Sequence, residues 1–248
     1  MCFTGDMKPI NLTEIKSLQR AKQHFHDCYL VTSMNALSNT ENGRKILQEN
    51  ILREGNNFKI KFKNINGKSE DFFVTEKELN DLTLCDRFFN PIELKEPHNP
   101  ILKAVEVAMN KLLKKYPNKK SFANRLYKTN EEFEYNNPSR FLEMFTGITP
   151  ININENSIRM SLKTQSDEAK AILEKIGKNK NNSFIAGTGH HFIKGLTNWH
   201  CYTLEKVDNT YKTAQIFDNR YQEEITLSFN DFIKKIKYIT GYFNEDLK

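Results

Sequence analysis

The chain has 248 residues, 38% of them hydrophobic and 27% charged, so it can bury a real core as one large domain or two lobes and is not a disordered tail. No stretch approaches the length of a membrane span, and the opening MCFTGDMKPINLTEIK has no charged segment followed by an apolar run, so no cleavable signal is expected and the protein reads as soluble, cytoplasmic or delivered outward without one. The net charge of +6 is spread among interleaved acids, with the densest cluster (Lys114, Lys115, Lys119, Lys120) reading as a solvated helix end, which argues against nucleic acid as a partner.

The four cysteines, Cys2, Cys28, Cys85 and Cys201, are too few and scattered for a disulfide framework and read as reduced thiols. Were Met1 removed, Cys2 would become an N-terminal nucleophile with its own amine as base, although no strand pattern follows it. The stretch QHFHDCYLVTSMNAL, residues 23–37, places Cys28 where a helix begins. Asp27 is a good N-cap residue, and Leu30, Val31, Met34 and Leu37 recur at helical spacing. Unpaired N–H groups and the positive end of the helix dipole there favour a thiolate. A cysteine in that position is nevertheless more often a small buried side chain. Chemistry therefore depends on what the remaining chain brings to it.

A second short helix is read from Gly43 to Ile51. The period then changes to two, with Phe58, Ile60 and Phe62 alternating with lysine, a turn signal at Asn66-Gly67, and a returning strand from Asp71 to Val74. Thr75 opens a short polar helical segment to Asn80. After a Pro-rich passage, Asn99 caps and Pro100 opens the most regular helix of the chain, with Ile101, Leu102, Val105, Ala108, Met109 and Leu112 as an apolar stripe. Ser139 starts another helix carrying Phe141, Leu142 and Phe145 and closing at Gly147. The turn-like stretch TPININE, from Thr149 to Glu155, is taken as the boundary between two lobes, 1–150 and 151–248. The second lobe opens with a helix from Asp167 to Ile176 and continues with strands at Ser183–Ala186, His200–Val207 and Tyr211–Asp218. Ser228 caps a final helix with Phe232, Ile233 and Ile236 inward. Helices followed by sheet make an α+β arrangement. No internal repeat is read.

His200 opens one strand and Asn219 follows its neighbour, so the hairpin would place them side by side. By strand alternation only one of His200 and Cys201 is expected to face Cys28. A cysteine on a helix, a histidine on a strand and an asparagine on the next strand, in that order, are what a thiol protease needs. The thiolate attacks a carbonyl, the imidazolium protonates the leaving amine, and the amide holds the imidazole in position.

The segments HDCYLVTSMNAL, NNFKIKFKNINGKSEDFFV, NPILKAVEVAMNKL and NPSRFLEMFTG, then SFIAGTG, KGLTNWHCYTLEKV, YKTAQIFDNRY and ITLSFNDFIKKI, together span nearly the whole chain. In this order they resemble the protease core of the calpain family, a member of the papain-like cysteine peptidases. The resemblance implies a papain-like two-lobed fold, with a helical N-terminal lobe carrying the nucleophile and a β-rich C-terminal lobe carrying the histidine and asparagine. It also implies Cys28 as nucleophile, His200 as general acid and base, and Asn219 as the group orienting His200.

The departures from the family are informative. The family's oxyanion-hole glutamine stands six residues before the cysteine, where this chain has Lys22. Gln23, five before, is favoured as its equivalent through a one-residue deletion, with Gln19, nine before, as the alternative. His26 replaces the usual glycine. Arg220-Tyr221 stands where the family has Pro-Trp-Gly, which leaves Tyr221 or Trp199 as the aromatic shield over the imidazole. No cofactor is expected. There is no DxDxDG loop and no acidic cluster matched to the family's calcium sites, and His190-His191 reads as a loop pair rather than metal ligands. The function implied is a bacterial calpain-like cysteine endopeptidase acting on protein or peptide substrates. The alternatives are a glutamine deamidase or transglutaminase-like enzyme using the same thioester, and an inactive relative serving as a binding module.

Overall fold

The computed structural model describes residues 6–23, 27–63, 67–81, 99–115, 138–154, 164–179, 182–189 and 194–247. Cys2, Cys85, His26, Asn66, the pair His190-His191 and most of the Pro-rich passage lie outside them.

The alternating pattern of Phe58, Ile60 and Phe62 makes β3 (Asn57–Lys63), whose apolar face is buried while its lysines point away. β3 is paired on one side with β2 (Ile51–Glu54) and on the other with β4 (Ser69–Val74), and β1 (Lys8–Pro9) completes a four-stranded antiparallel sheet in the order β1-β2-β3-β4. Helices cover its apolar face. α5 (Pro100–Lys115) lays the expected stripe against β3 and β4, and α6 (Pro138–Thr146) packs Phe141 and Phe145 edge-on against Phe62. Short helices α1 (Leu12–Lys16), α3 (Glu41–Asn50) and α4 (Glu76–Asp81) fill out this part.

The second sheet is six-stranded and wholly antiparallel, in the order β5-β10-β6-β7-β8-β9. Its strands are β5 (Ile151–Asn154), β6 (Asn182–Gly187), β7 (Cys201–Asp208), β8 (Thr213–Asp218), β9 (Glu223–Ser228) and β10 (Tyr238–Phe243). The molecule is therefore of the α+β class. Both faces of the sheet are covered. Phe184, Ala186, Tyr202, Leu204 and Phe243 pack with Leu173 and Phe232 from α7 (Thr164–Lys178) and α8 (Phe229–Lys235), whereas Ile185, Cys201 and Tyr242 join the core around α2 (Cys28–Ser38). β9 and β10 have no counterpart in the sequence reading. β10 is an interior strand buried on both faces, so YITGYF shows no polar alternation to betray it.

α2 is the element between the two sheets. It packs on α3 and α6 to one side and on β6 and β7 to the other, and every residue from Cys28 to Ser38 is buried. Three of its hydroxyls bond back to the helix itself: Thr32 Oγ1 donates to the Cys28 carbonyl at 2.6 Å, Ser33 Oγ to the Tyr29 carbonyl at 2.5 Å and Ser38 Oγ to the Asn35 carbonyl at 2.7 Å. Among the described residues no helix is long and apolar enough to cross a membrane.

Candidate active site

Cys28 is the first residue of α2 and is buried. Asp27 occupies the N-cap position, but its side chain makes no capping hydrogen bond. Its carboxyl instead meets that of Glu106, a buried residue of α5. This corrects the simple capping role expected for Asp27. Burial holds the Glu106 carboxyl up to about 7, only partly opposed by the hydrogen bond with Asp27 and by Lys103.

His200 lies just before the first residue of β7, and Trp199 ahead of it has a φ of 51°. The alternation of the strand has not yet set in at that point. As a result both His200 and Cys201 bear on the titration of the Cys28 thiol, whereas alternation alone allows only one of them to face it. The two neighbours pull on the sulfur in opposite senses. The hydrogen bond with Cys201, together with burial, pushes the thiol up, and His200 draws it down, with the upward pull prevailing. The thiolate favoured by the helix position is thus resisted by the surroundings of the sulfur.

The imidazole is held by Asp218, the last residue of β8. Nε2 of His200 donates to Asp218 Oδ1 at 3.1 Å, both side chains being buried, and Nδ1 is left for Cys28. Burial alone would lower His200, but Asp218 and Cys28 raise it to about 9. Although burial also opposes the Asp218 charge, the imidazole and the Tyr221 and Arg220 backbone amides hold that carboxyl below its usual range. Tyr202 packs edge-on against the imidazole at 4.8 Å between ring centroids. Tyr202 thus supplies an aromatic wall to the imidazole that the sequence reading did not name. Trp199 and Tyr221 are 64% and 56% exposed.

The imidazole's hydrogen bond goes to Asp218 and not to Asn219, contrary to the role implied for Asn219. Its amide Nδ2 donates to the Ala21 carbonyl at 2.8 Å and its Oδ1 accepts from Thr203 Oγ1 at 3.3 Å. Adjacent residues at a strand end face opposite ways, so a shift of one position exchanges Asp218 for Asn219 beside the histidine. A signal for this was present in the chain. DNTYK (208–212) and DNRYQ (218–222) form the same turn at the ends of successive hairpins. In each, the aspartate Oδ1 accepts from the backbone amides two and three residues on, and the fifth residue has a positive φ, 52° at Lys212 and 58° at Gln222. The asparagine is a fastener in both turns, Asn209 to the Glu174 carbonyl at 2.9 Å and Asn219 to Ala21.

What Asn219 fastens is the segment carrying Gln23. The Gln23 backbone N–H donates to the Asn219 carbonyl at 2.9 Å, and the Gln23 side chain is buried. Two residues earlier than Lys22, Arg20 ties the same segment to the sheet, with Nε and Nη2 donating to the Glu205 carboxylate at 3.0 and 2.7 Å and a further contact to Glu224. Gln19 is held away from Cys28. Its Nε2 donates to the Ser38 carbonyl at 3.1 Å, at the opposite end of α2 from Cys28, about 15 Å away at the rise of an α-helix.

The structure therefore brings together Cys28, His200, Asp218 and Cys201, and ties the Gln23 segment to the same corner through Asn219. Among the described residues no group of three or more His, Cys, Asp or Glu side chains is placed to hold a metal ion. The chain matches no protein-family model, and no curated protein matches it.

Proposed function

We propose that the chain is a papain-like thiol hydrolase with two lobes meeting at α2. Within that class we read it as a calpain-like cysteine endopeptidase using Cys28, His200 and Asp218. The observation that carries the reading is the buried 3.1 Å hydrogen bond between His200 and Asp218 next to a thiol at the start of a helix. In the proposed reaction the Cys28 sulfur attacks the scissile carbonyl, its proton having passed to His200. The imidazolium then gives a proton to the leaving amine, and the thioester is hydrolysed by water deprotonated by the same imidazole. Asp218 keeps the ring in one orientation and stabilises its positive charge. The Cys28 backbone N–H and an amide of the Gln23 segment would receive the developing oxyanion, and one such donor is typically worth about 3 kcal/mol.

The test is alkylation of the folded protein by iodoacetamide or an epoxysuccinyl probe, wild type beside His200→Ala, followed by digestion of an unstructured protein substrate and mass spectrometry of the products. Rapid labelling confined to Cys28 and dependent on His200, with backbone cleavage of the substrate, is the expected result. Labelling with conversion of side-chain amides to acids and no cleavage would assign the thioester chemistry to deamidation instead. An unreactive Cys28 would make the chain a binding module.

A further inference from the structure

The mechanism above uses one of two neighbouring buried thiols. Cys201, the first residue of β7, is buried on the face of the sheet that packs on α2, and both cysteines are free. Cys28, at the start of the helix that this face covers, lies in the same buried core, and each thiol shifts the other's titration. A third group completes the arrangement. Tyr238 on β10 is opposite Gly187 on β6, and Gly187 is opposite Cys201 on β7, so the three form one row across the sheet. Because Gly187 has no side chain, the Tyr238 ring lies across it; a Cβ there would stand 1.9 Å from the ring Cζ. The phenol thus reaches over one strand, and its oxygen sits 3.0 Å from the Cys201 sulfur.

We propose that Cys28 and Cys201 form a peroxide-responsive modification site, in which an oxidised Cys28 is captured by Cys201 as an internal disulfide. His200 takes the Cys28 proton, the sulfur attacks a hydroperoxide and receives one oxygen atom as the O–O bond breaks, and the proton returns to the leaving oxygen, so that a sulfenic acid remains and water or an alcohol is released. The Cys201 thiolate then attacks that sulfur. The S–S bond forms, the S–O bond breaks, and hydroxide leaves and is protonated to water. One peroxide is reduced and the two thiols are oxidised, and a dithiol reductant reverses the change. Tyr238 serves the second step as hydrogen-bond donor to the attacking sulfur. Burial and the neighbouring sulfur keep its phenol protonated, while the contacts with Cys28 and Tyr238 favour the Cys201 thiolate against its burial. The outcome is that an overoxidation-prone nucleophile is held in a recoverable state.

The inference requires only that the two buried thiols of this core come together and stands apart from the protease reading. The full chain is treated with hydrogen peroxide, free thiols are alkylated, and the digest is read by mass spectrometry before and after dithiothreitol. The expected result is a peptide linking Cys28 to Cys201, loss of Cys28 alkylation, and its return on reduction. In Tyr238→Phe the link forms more slowly, and in Cys201→Ser it is absent and Cys28 proceeds to irreversible sulfinic acid. Sulfinic acid on wild-type Cys28 without the link, or a link from Cys28 to Cys2 or Cys85 instead, would overturn the proposal. If the link forms in a protein that cleaves nothing, this inference stands and the peptidase reading falls.

Discussion

His200 and Asp218 are joined by a buried hydrogen bond, Nε2 to Oδ1 at 3.1 Å, while the very next residue, Asn219, turns its amide to the Ala21 carbonyl. Asp208 shows what the same turn does without a histidine. It accepts the two corresponding backbone amides, and its other oxygen has only the Lys206 ammonium at 3.9 Å in place of an imidazole. The distinction between a turn aspartate and one able to orient an imidazole rests on a single added donor.

Asp218→Asn removes the charge that helps raise His200 to about 9. The imidazolium is then lost at a lower pH, so the alkaline limb of turnover moves acidward. Turnover is expected to fall by about 10²-fold or more, the usual worth of a positioned acid–base group. A pH–rate profile of wild type and variant checks both effects, and an unmoved limb would remove Asp218 from the mechanism.

Asn219→Ala loses the amide that fastens the Gln23 segment and leaves the buried Ala21 carbonyl without that donor. The expected cost is about 1–3 kcal/mol in denaturant unfolding. The alkaline limb should stay where it is in wild type, since His200 keeps Asp218. A shift equal to that of Asp218→Asn would contradict the division of labour between the two neighbours.

Cys201→Ala deletes the hydrogen bond that does most to push the Cys28 thiol up. With His200 still drawing the proton off, the Cys28 labelling profile is expected to move to lower pH. Iodoacetamide rates measured across the acid-to-alkaline range, with the modified residue mapped, decide this. An unchanged profile would mean that burial alone holds the proton.

Glu106 offers a stability measurement. Its carboxyl titrates near 7 in the folded chain because it is buried, whereas in the unfolded chain it titrates at the ordinary glutamate value. Between those two values the native state binds more protons, so stability falls as pH rises, and the full cost of about 3 kcal/mol is present above about pH 7. Glu106→Gln cannot ionise and keeps an N–H to offer Asp27. It is expected to be more stable than wild type near pH 8 and little different near pH 5 in urea denaturation.

Gly187→Ala places a methyl group into the Tyr238 ring, 1.9 Å from Cζ. Overpacking of this kind costs about 1–3 kcal/mol, and moving the ring takes its hydroxyl from Cys201. Thermal unfolding should show the first effect and slower peroxide-driven linkage of Cys28 to Cys201 the second.

Much of the scaffold is local and was legible. The helical spacing after Cys28, the alternation of Phe58, Ile60 and Phe62, and the Ser228 cap that accepts from the Asp231 amide at 3.1 Å are all encoded within a few residues of one another. Asn99, whose Oδ1 accepts from the Ile101 amide at 3.0 Å, is another local signal that the fold uses. The placing of a cysteine at a helix start, and of a histidine at a strand start on a later hairpin, was legible for the same reason.

The tertiary structure decided the rest. Which of Asp218 and Asn219 faces His200 depends on one position of strand register, and in a period of two that single position exchanges the faces. The Tyr238–Gly187–Cys201 row unites residues from three strands whose pairing joins distant parts of the chain. Asp27 turned from its cap to Glu106 because the packing of α5 on α2 brought a second buried carboxyl to it. By itself the sequence determined most of the helices, five of the ten strands among the described residues, and the positions of Cys28 at a helix start and His200 at a strand start, because backbone preference and side-chain period are short-range. The groups that tune those two residues are chosen by long-range packing, which a local pattern does not contain.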